Sequence, residues 1–129
     1  MDMKITFPGG KKVNADFNGF IHKTDQAIRS GGESSAPEPF ALFLASIGTC
    51  AGIYVLGFCQ QRGIETDGME IIQKMDFNLL TGMIDKIKLN INLPKDFPEK
   101  YKKAVINSAS LCTVKKHLEA PPQFEITTN

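Results

Sequence analysis

Between Phe40 and Cys59 the sequence reads FALFLASIGTCAGIYVLGFC, and no side chain in it carries a charge. An uncharged run of about 20 residues can span a bilayer or be buried by protein. Gly48, Gly52, Gly57, Ser46 and Thr49 dilute its apolarity, and the nearest flanking cation is Arg62. The rest of the chain is patterned as sheet with solvated faces, so the run reads as a buried core helix, with no membrane partner. The helix is expected over Phe40–Arg62, ending at Gly63, which can take the left-handed backbone of a helix C-terminus.

The strands around it follow from alternation. MKITF alternates and ends at the turn signal PGG. KKVNADF sets Val13, Ala15 and Phe17 on one face, Asn18-Gly19 makes a hairpin turn, and FIHK returns. Thr24–Pro39 is rich in Gly, Ser and Pro and reads as a long loop, a type of segment often functional. After the helix, MEIIQKMDFNL sets Met69, Ile71, Met75, Phe77 and Leu79 on one side. IKLNINL answers with Ile87, Leu89, Ile91 and Leu93. Pro98 opens a second helix, with Tyr101, Ala104, Val105, Ser108, Leu111 and Cys112 at helical spacing. A short helical turn over Val114–Leu118 and a last strand, QFEIT, complete the order β-β-β-α-β-β-α-β. The fold class is α+β, in a single domain over residues 1–129.

A formal net charge of +1 and only short lysine pairs leave no electrostatic footprint for nucleic acid. MDMKITF has no basic stretch followed by an apolar run, so no secretion signal is expected. Three cysteines in such a chain point to reduced thiols and a cytoplasmic setting. With two histidines and neither CxxC nor HxxxH, no metal site is expected. A Cys112–His117 nucleophile pair would lack an orienting third group.

Cys50 and Cys59, nine residues apart, face opposite sides of the helix and are separated by about 13 Å along its axis. They cannot pair. Cys112 could meet either one, and spacing alone does not say which. Gly48 and Gly52 flank Cys50 at a spacing that admits a second helix. All three thiols could equally be small buried hydrophobes.

PEPFALFLASIGTCAGIYVLGFCQQRGIETDGMEI resembles the first signature of the OsmC/Ohr superfamily, and VINSASLCTVKKHL resembles the second. The resemblance covers nearly the whole chain and implies an intertwined homodimer, with long helices packed between antiparallel sheets and the sites at the interface. It implies thiol-dependent reduction of organic hydroperoxides, with Cys50 attacking and Cys112 resolving. No bound cofactor is implied; an external dithiol or lipoylated reductant would restore the thiols. Cys59 matches no family position. Peroxidatic members set an arginine beside the attacking cysteine and hold it with a glutamate. Here that glutamate position falls at Phe40 or Ala41, leaving Glu38 between its two prolines as the nearest carboxylate. Arg29 is the arginine available before the helix. In these departures the chain resembles the YhfA-like branch. The alternative function is a weakly active or non-catalytic protein that binds a small apolar ligand at the dimer cleft.

A lone subunit with Phe40–Cys59 half covered would expose more apolar surface than a soluble monomer tolerates. The expected state is an obligate homodimer. Light scattering that finds a stable folded monomer at low micromolar concentration would overturn it.

Overall fold

The computed structural model describes residues 1–129, in two compact units, Met1–Ala45 and Ser46–Asn129. The first unit contains a three-stranded antiparallel sheet in the order β1 (Lys4–Gly9), β2 (Lys12–Phe17), β3 (Phe20–Thr24). The β2–β3 turn has Asn18 at φ 51° and Gly19 at φ 80°. Two successive positive φ values make the tight hairpin turn that Asn-Gly favours, since neither residue is strained there. The pairing from Val13↔Thr24 to Phe17↔Phe20 is unbroken.

Helix α1 runs Pro39–Gln61 and crosses the boundary between the units. Pro39 takes the first position, where its missing N–H costs nothing. At the other end Gly63 has φ 63°, Ile64 N–H donates to the Cys59 carbonyl at 2.9 Å, and Gly63 N–H donates to Gln60 at 3.3 Å. This paired closure satisfies carbonyls that the helix itself leaves open. The Arg62 guanidinium donates to the Phe58 carbonyl at 3.1 Å and lies 3.7 Å from the Phe58 ring centroid. That cation seals the end of the helix.

The second unit continues with the antiparallel pair β4 (Glu70–Asn78) and β5 (Met83–Asn92). A 3-10 turn over Glu99–Tyr101 then leads into α2 (Lys102–Ser110), and α3 (Thr113–Glu119) follows. Its core joins Val55, Phe58 and Cys59 of α1 to Phe97 and Val105, with Ile71 and Ile91 packed against them from the sheet. The inward alternation of β4 and β5 therefore holds around Ile71 and Ile91. It fails for Phe77 and Leu79, which are exposed. The register shifts between Asp76 and Phe77, and Asn78 starts the turn by accepting from Leu80 N–H at 2.9 Å and Thr81 N–H at 3.2 Å. Asp76 pairs with Lys86 and Phe77 with Ile84, so the extra residue is Asp85 and the period of two shifts in β5 rather than in β4.

Two further expectations change. Cys112 is not on α2; that helix ends at Ser110, and Cys112 is extended at φ −60°, ψ 141°, as the residue before α3. The strand expected at QFEIT is not formed: Phe124 is 87% and Ile126 94% exposed, and neither sheet includes them. Alternation supplies a strand's side chains but not the neighbouring edge that would complete its hydrogen bonds.

α1 is long and apolar enough to cross a membrane by length and composition, and 28% of its apolar window is buried within the chain. Ile47, Ala51, Val55, Phe58 and Cys59 are its buried residues, while Phe40, Phe43 and Ile53 stay open. Val105, fully buried between α1 and the sheet core, tests the packing. Val105→Ala should cost about 2–3 kcal/mol, combining lost burial with the cavity left behind. Urea unfolding at fixed protein concentration measures it.

Candidate functional site

Three thiols are present, and all are free. Cys59 is fully buried in the core around Val55 and Phe58. Burial pushes its thiol up, because the thiolate would lose its hydration, and Arg62 offsets only part of this. Cys59 is placed as a core residue. Cys50 is partly exposed on α1.

Cys112 is 1% exposed, yet its sulfur has a defined polar role. Its Sγ accepts the Lys115 N–H at 3.3 Å, capping the first turn of α3. The cap engages a donor that the short helix cannot satisfy internally. The neighbouring His117 is turned to the Thr113 carbonyl, with Nδ1 2.7 Å away. The thiol's partner is thus a backbone amide rather than an imidazole, and the Cys112–His117 nucleophile pair is not formed.

α1 is joined to this corner on both sides of Cys50. Ser108 Oγ donates to the Tyr54 carbonyl at 3.2 Å, and the Tyr54 hydroxyl lies 3.2 Å from Thr113 Oγ1. One turn before Cys50, Ile47 shares a cavity wall with Cys112. Around the helix Cys50 lies about 60° from Ile47 and about 40° from Tyr54. It lies to one side of both, and it is not among the residues that line the cavity.

The cavity holds about 340 Å³. Its walls are mainly aliphatic, with Leu89 and Ile91 from β5, Ile106 from α2 and Leu118 from α3. Ser110, Cys112 and Lys115 are the lining residues with polar side-chain atoms. Lys115 Nζ is held by Glu119 at 2.5 Å. Such a space takes an apolar body of modest size. No three His, Cys, Asp or Glu side chains converge where a metal could be held.

Sequence patterning passed over Gln73, the polar member of the inward face of β4. A Cβ added at Gly48 would come within 2.6 Å of Gln73 Oε1. Gly48 thus leaves room for an amide against α1, two residues before Cys50. A polar residue interrupting an apolar alternation is the signal that could have found it.

In the first unit, Arg29 is exposed on a single 3-10 turn, Ile28–Ser30. Glu38 does not form an ion pair with it; its Oε1 accepts Ala27 N–H at 3.2 Å. Asp25 is fully buried at the root of this loop. Its Oδ2 accepts from Ser35 Oγ at 2.5 Å, Ser35 N–H at 3.1 Å and Glu33 N–H at 3.3 Å, while Oδ1 accepts from Gln26 N–H at 2.7 Å. The Ser35 hydroxyl first, and the Gln26 amide second, hold this carboxyl down at about 2. A depressed carboxylate supports the folded loop above the ordinary range near 4, and that support is lost as pH falls toward 2.

The sequence profile of the OsmC-like protein family matches residues 31–127. No curated protein sequence matches the chain. Among solved structures, an osmotic-stress-induced and detoxification-response protein of Psychrobacter arcticus is 19% identical, with a TM-score of 0.72 over 88% of this chain and 85% of that one. The organic hydroperoxide resistance protein OhrB of Bacillus subtilis is 20% identical, with a TM-score of 0.54 over 94% of this chain and 93% of that one. An organic hydroperoxide resistance protein of Legionella pneumophila is 16% identical, with a TM-score of 0.52 over 92% of this chain and 89% of that one. These similarities establish the shared fold.

The thiol environments predict an order of labelling. Iodoacetamide should modify Cys50 first and Cys112 slowly, and should leave Cys59 untouched until the protein unfolds. Peptide mapping after timed alkylation checks this; early labelling of Cys59 would contradict its burial.

Proposed function

The chain belongs to the OsmC-like family, and we propose that it reduces organic hydroperoxides with a Cys50/Cys112 thiol pair. The observation that carries this reading is the double attachment of α1, through Ile47 and Tyr54, to the segment bearing the buried Cys112. A resolving thiol must be kept from solvent and close to the helix that carries the attacking one. A capped, 1% exposed cysteine beside an aliphatic cavity fits that role.

The Cys50 thiolate attacks the distal oxygen of the hydroperoxide. The O–O bond breaks, an S–O bond forms, and the alkoxide leaves as an alcohol after taking a proton. Cys50 is then a sulfenic acid. The Cys112 sulfur displaces its oxygen, which departs as water, and a disulfide remains. An external dithiol, of the lipoyl type, returns both thiols by exchange and becomes a disulfide itself. Arg29 is the candidate cation for activating Cys50, since a thiol without one is a poor nucleophile at neutral pH.

The protein acts in this reading as a cytoplasmic homodimer, the second copy covering apolar residues that α1 leaves exposed. Phe40, Phe43 and Ile53 are the surface that calls for such a cover. The aliphatic cavity also favours a second reading, a binder of small apolar ligands with little turnover.

The test is consumption of cumene hydroperoxide with dihydrolipoamide as reductant. Cys50→Ser should abolish it. Cys112→Ser should permit one oxidation and then stall, leaving a sulfenic acid that dimedone traps. Arg29→Ala should slow the reaction roughly 10-fold or more. If the parent consumes no hydroperoxide, the ligand-binding reading replaces this one.

A further inference from the structure

The outward face of the β4–β5 ladder departs from what a sheet needs, and the departures fall together. Ile71, Gln73 and Met75 are the covered residues of β4, so Glu70, Ile72, Lys74 and Asp76 lie on the other face. The register sets Glu70 across from Asn92, Ile72 from Asn90, Lys74 from Lys88 and Asp76 from Lys86.

The first departure is the pair Lys74 and Lys88. Like charges directly opposite each other destabilise a ladder. Neither lysine is in an ion pair, and neither are Glu70, Asp76 and Lys86 on the same face. The second departure is Asn90 and Asn92, a residue type depleted in strands, at neighbouring positions of one face. Asn90 Nδ2 donates to Asn92 Oδ1 at 2.5 Å, and Asn92 Nδ2 donates to Glu70 Oε1 at 2.9 Å. This relay fixes both amides from the Glu70 end and leaves Asn90 Oδ1 open to a ligand. The third is Ile72, 39% exposed among polar neighbours. Ile72, Lys74, Lys88, Asn90 and Asn92 together line a cavity of about 310 Å³. Pairing of the strands requires none of these choices, and local rules broken together in one place mark function.

Charge is graded along this face. Glu70 stands at one end and Asp76 with Lys86 at the other, with two opposed ammonium groups between them. An anion placed there turns their repulsion into attraction. Lysine binds phosphate as a point charge on a flexible stem, so two opposed lysines can converge on one group. A carboxylate would balance one of them. A phosphate monoester, close to doubly charged at neutral pH, balances both. Ile72 is the one apolar residue of the lining, and no aromatic side chain joins it. The face therefore has no wedge for a bilayer and no platform for stacked bases.

We propose that the outward face of β4 and β5 binds a small soluble phosphate monoester, its phosphate held between Lys74 and Lys88 and its body against Ile72 and Asn90. The site lies within the second unit and uses none of the thiols.

The opposed lysines give the test a sign. Without ligand they oppose folding, and with it they support folding. Thermal unfolding and titration calorimetry of the full chain, in chloride buffer at fixed ionic strength and pH 7.5, use glycerol 3-phosphate as the probe. The parent midpoint should rise by several degrees at saturation, and glycerol should leave it unmoved. Lys74→Gln and Lys88→Gln should unfold no earlier than the parent without ligand, and should bind the probe roughly 10-fold more weakly. Lys86→Gln, a cation of the same face set across from Asp76, should bind as the parent does. Asn90→Ala should weaken glycerol 3-phosphate several-fold and leave inorganic phosphate unchanged. The proposal is overturned if glycerol 3-phosphate does not move the parent midpoint. It is equally overturned if Lys86→Gln loses as much affinity as Lys74→Gln, since diffuse charge would then account for the binding. Binding to phosphatidic acid vesicles with none to glycerol 3-phosphate would also reject it, because the occupant would be a lipid surface.

Discussion

A helix with no polar face needs covering on more sides than one small sheet can provide, and the fold is arranged around that need. α1 supplies Val55, Phe58 and Cys59 to the core of the second unit, where Phe97, Val105 and the inward residues of β4 and β5 close over them. The same helix keeps Ile53 59% exposed, with Phe40 and Phe43 open at its start. Its interruptions serve close approach: Gly48 leaves room for the Gln73 amide, and Gly63 lets the chain turn away at the helix end.

Burial then sorts the three cysteines. Cys59 is surrounded by apolar side chains, which disfavour its thiolate. Cys112 is just as hidden but receives a backbone hydrogen bond and borders a cavity. Cys50 keeps partial access on α1, between Ile47 and Tyr54 along the chain.

Where α1 organises by apolar contact, Asp25 organises by hydrogen bonds. Its carboxylate gathers amides from Gln26, Glu33 and Ser35, turning a flexible composition into a defined loop. The exposed Lys12–Glu33 pair at 2.7 Å adds a strut of the kind that contributes little alone.

Much of this was legible in the sequence because it is local. The hairpin at Asn18-Gly19, the stop at Gly63, the alternation of β4 and β5 and the two cysteine-bearing signatures each depend on neighbours a few residues apart. They determined the α+β class, the element order through the second helix and the family. What tertiary structure decided lies at longer range. Phe77 stays exposed although its strand keeps the alternation, and the end of α2 at Ser110 made Cys112 a cap rather than a helical residue. The QFEIT alternation met no sheet edge in its own chain. Glu38 read as a displaced partner for a guanidinium and became an acceptor for Ala27, eleven residues away. Periodicity records which face of an element is apolar. It does not record which donor will reach a given acceptor once the chain has closed, and that is settled by the loop's own geometry.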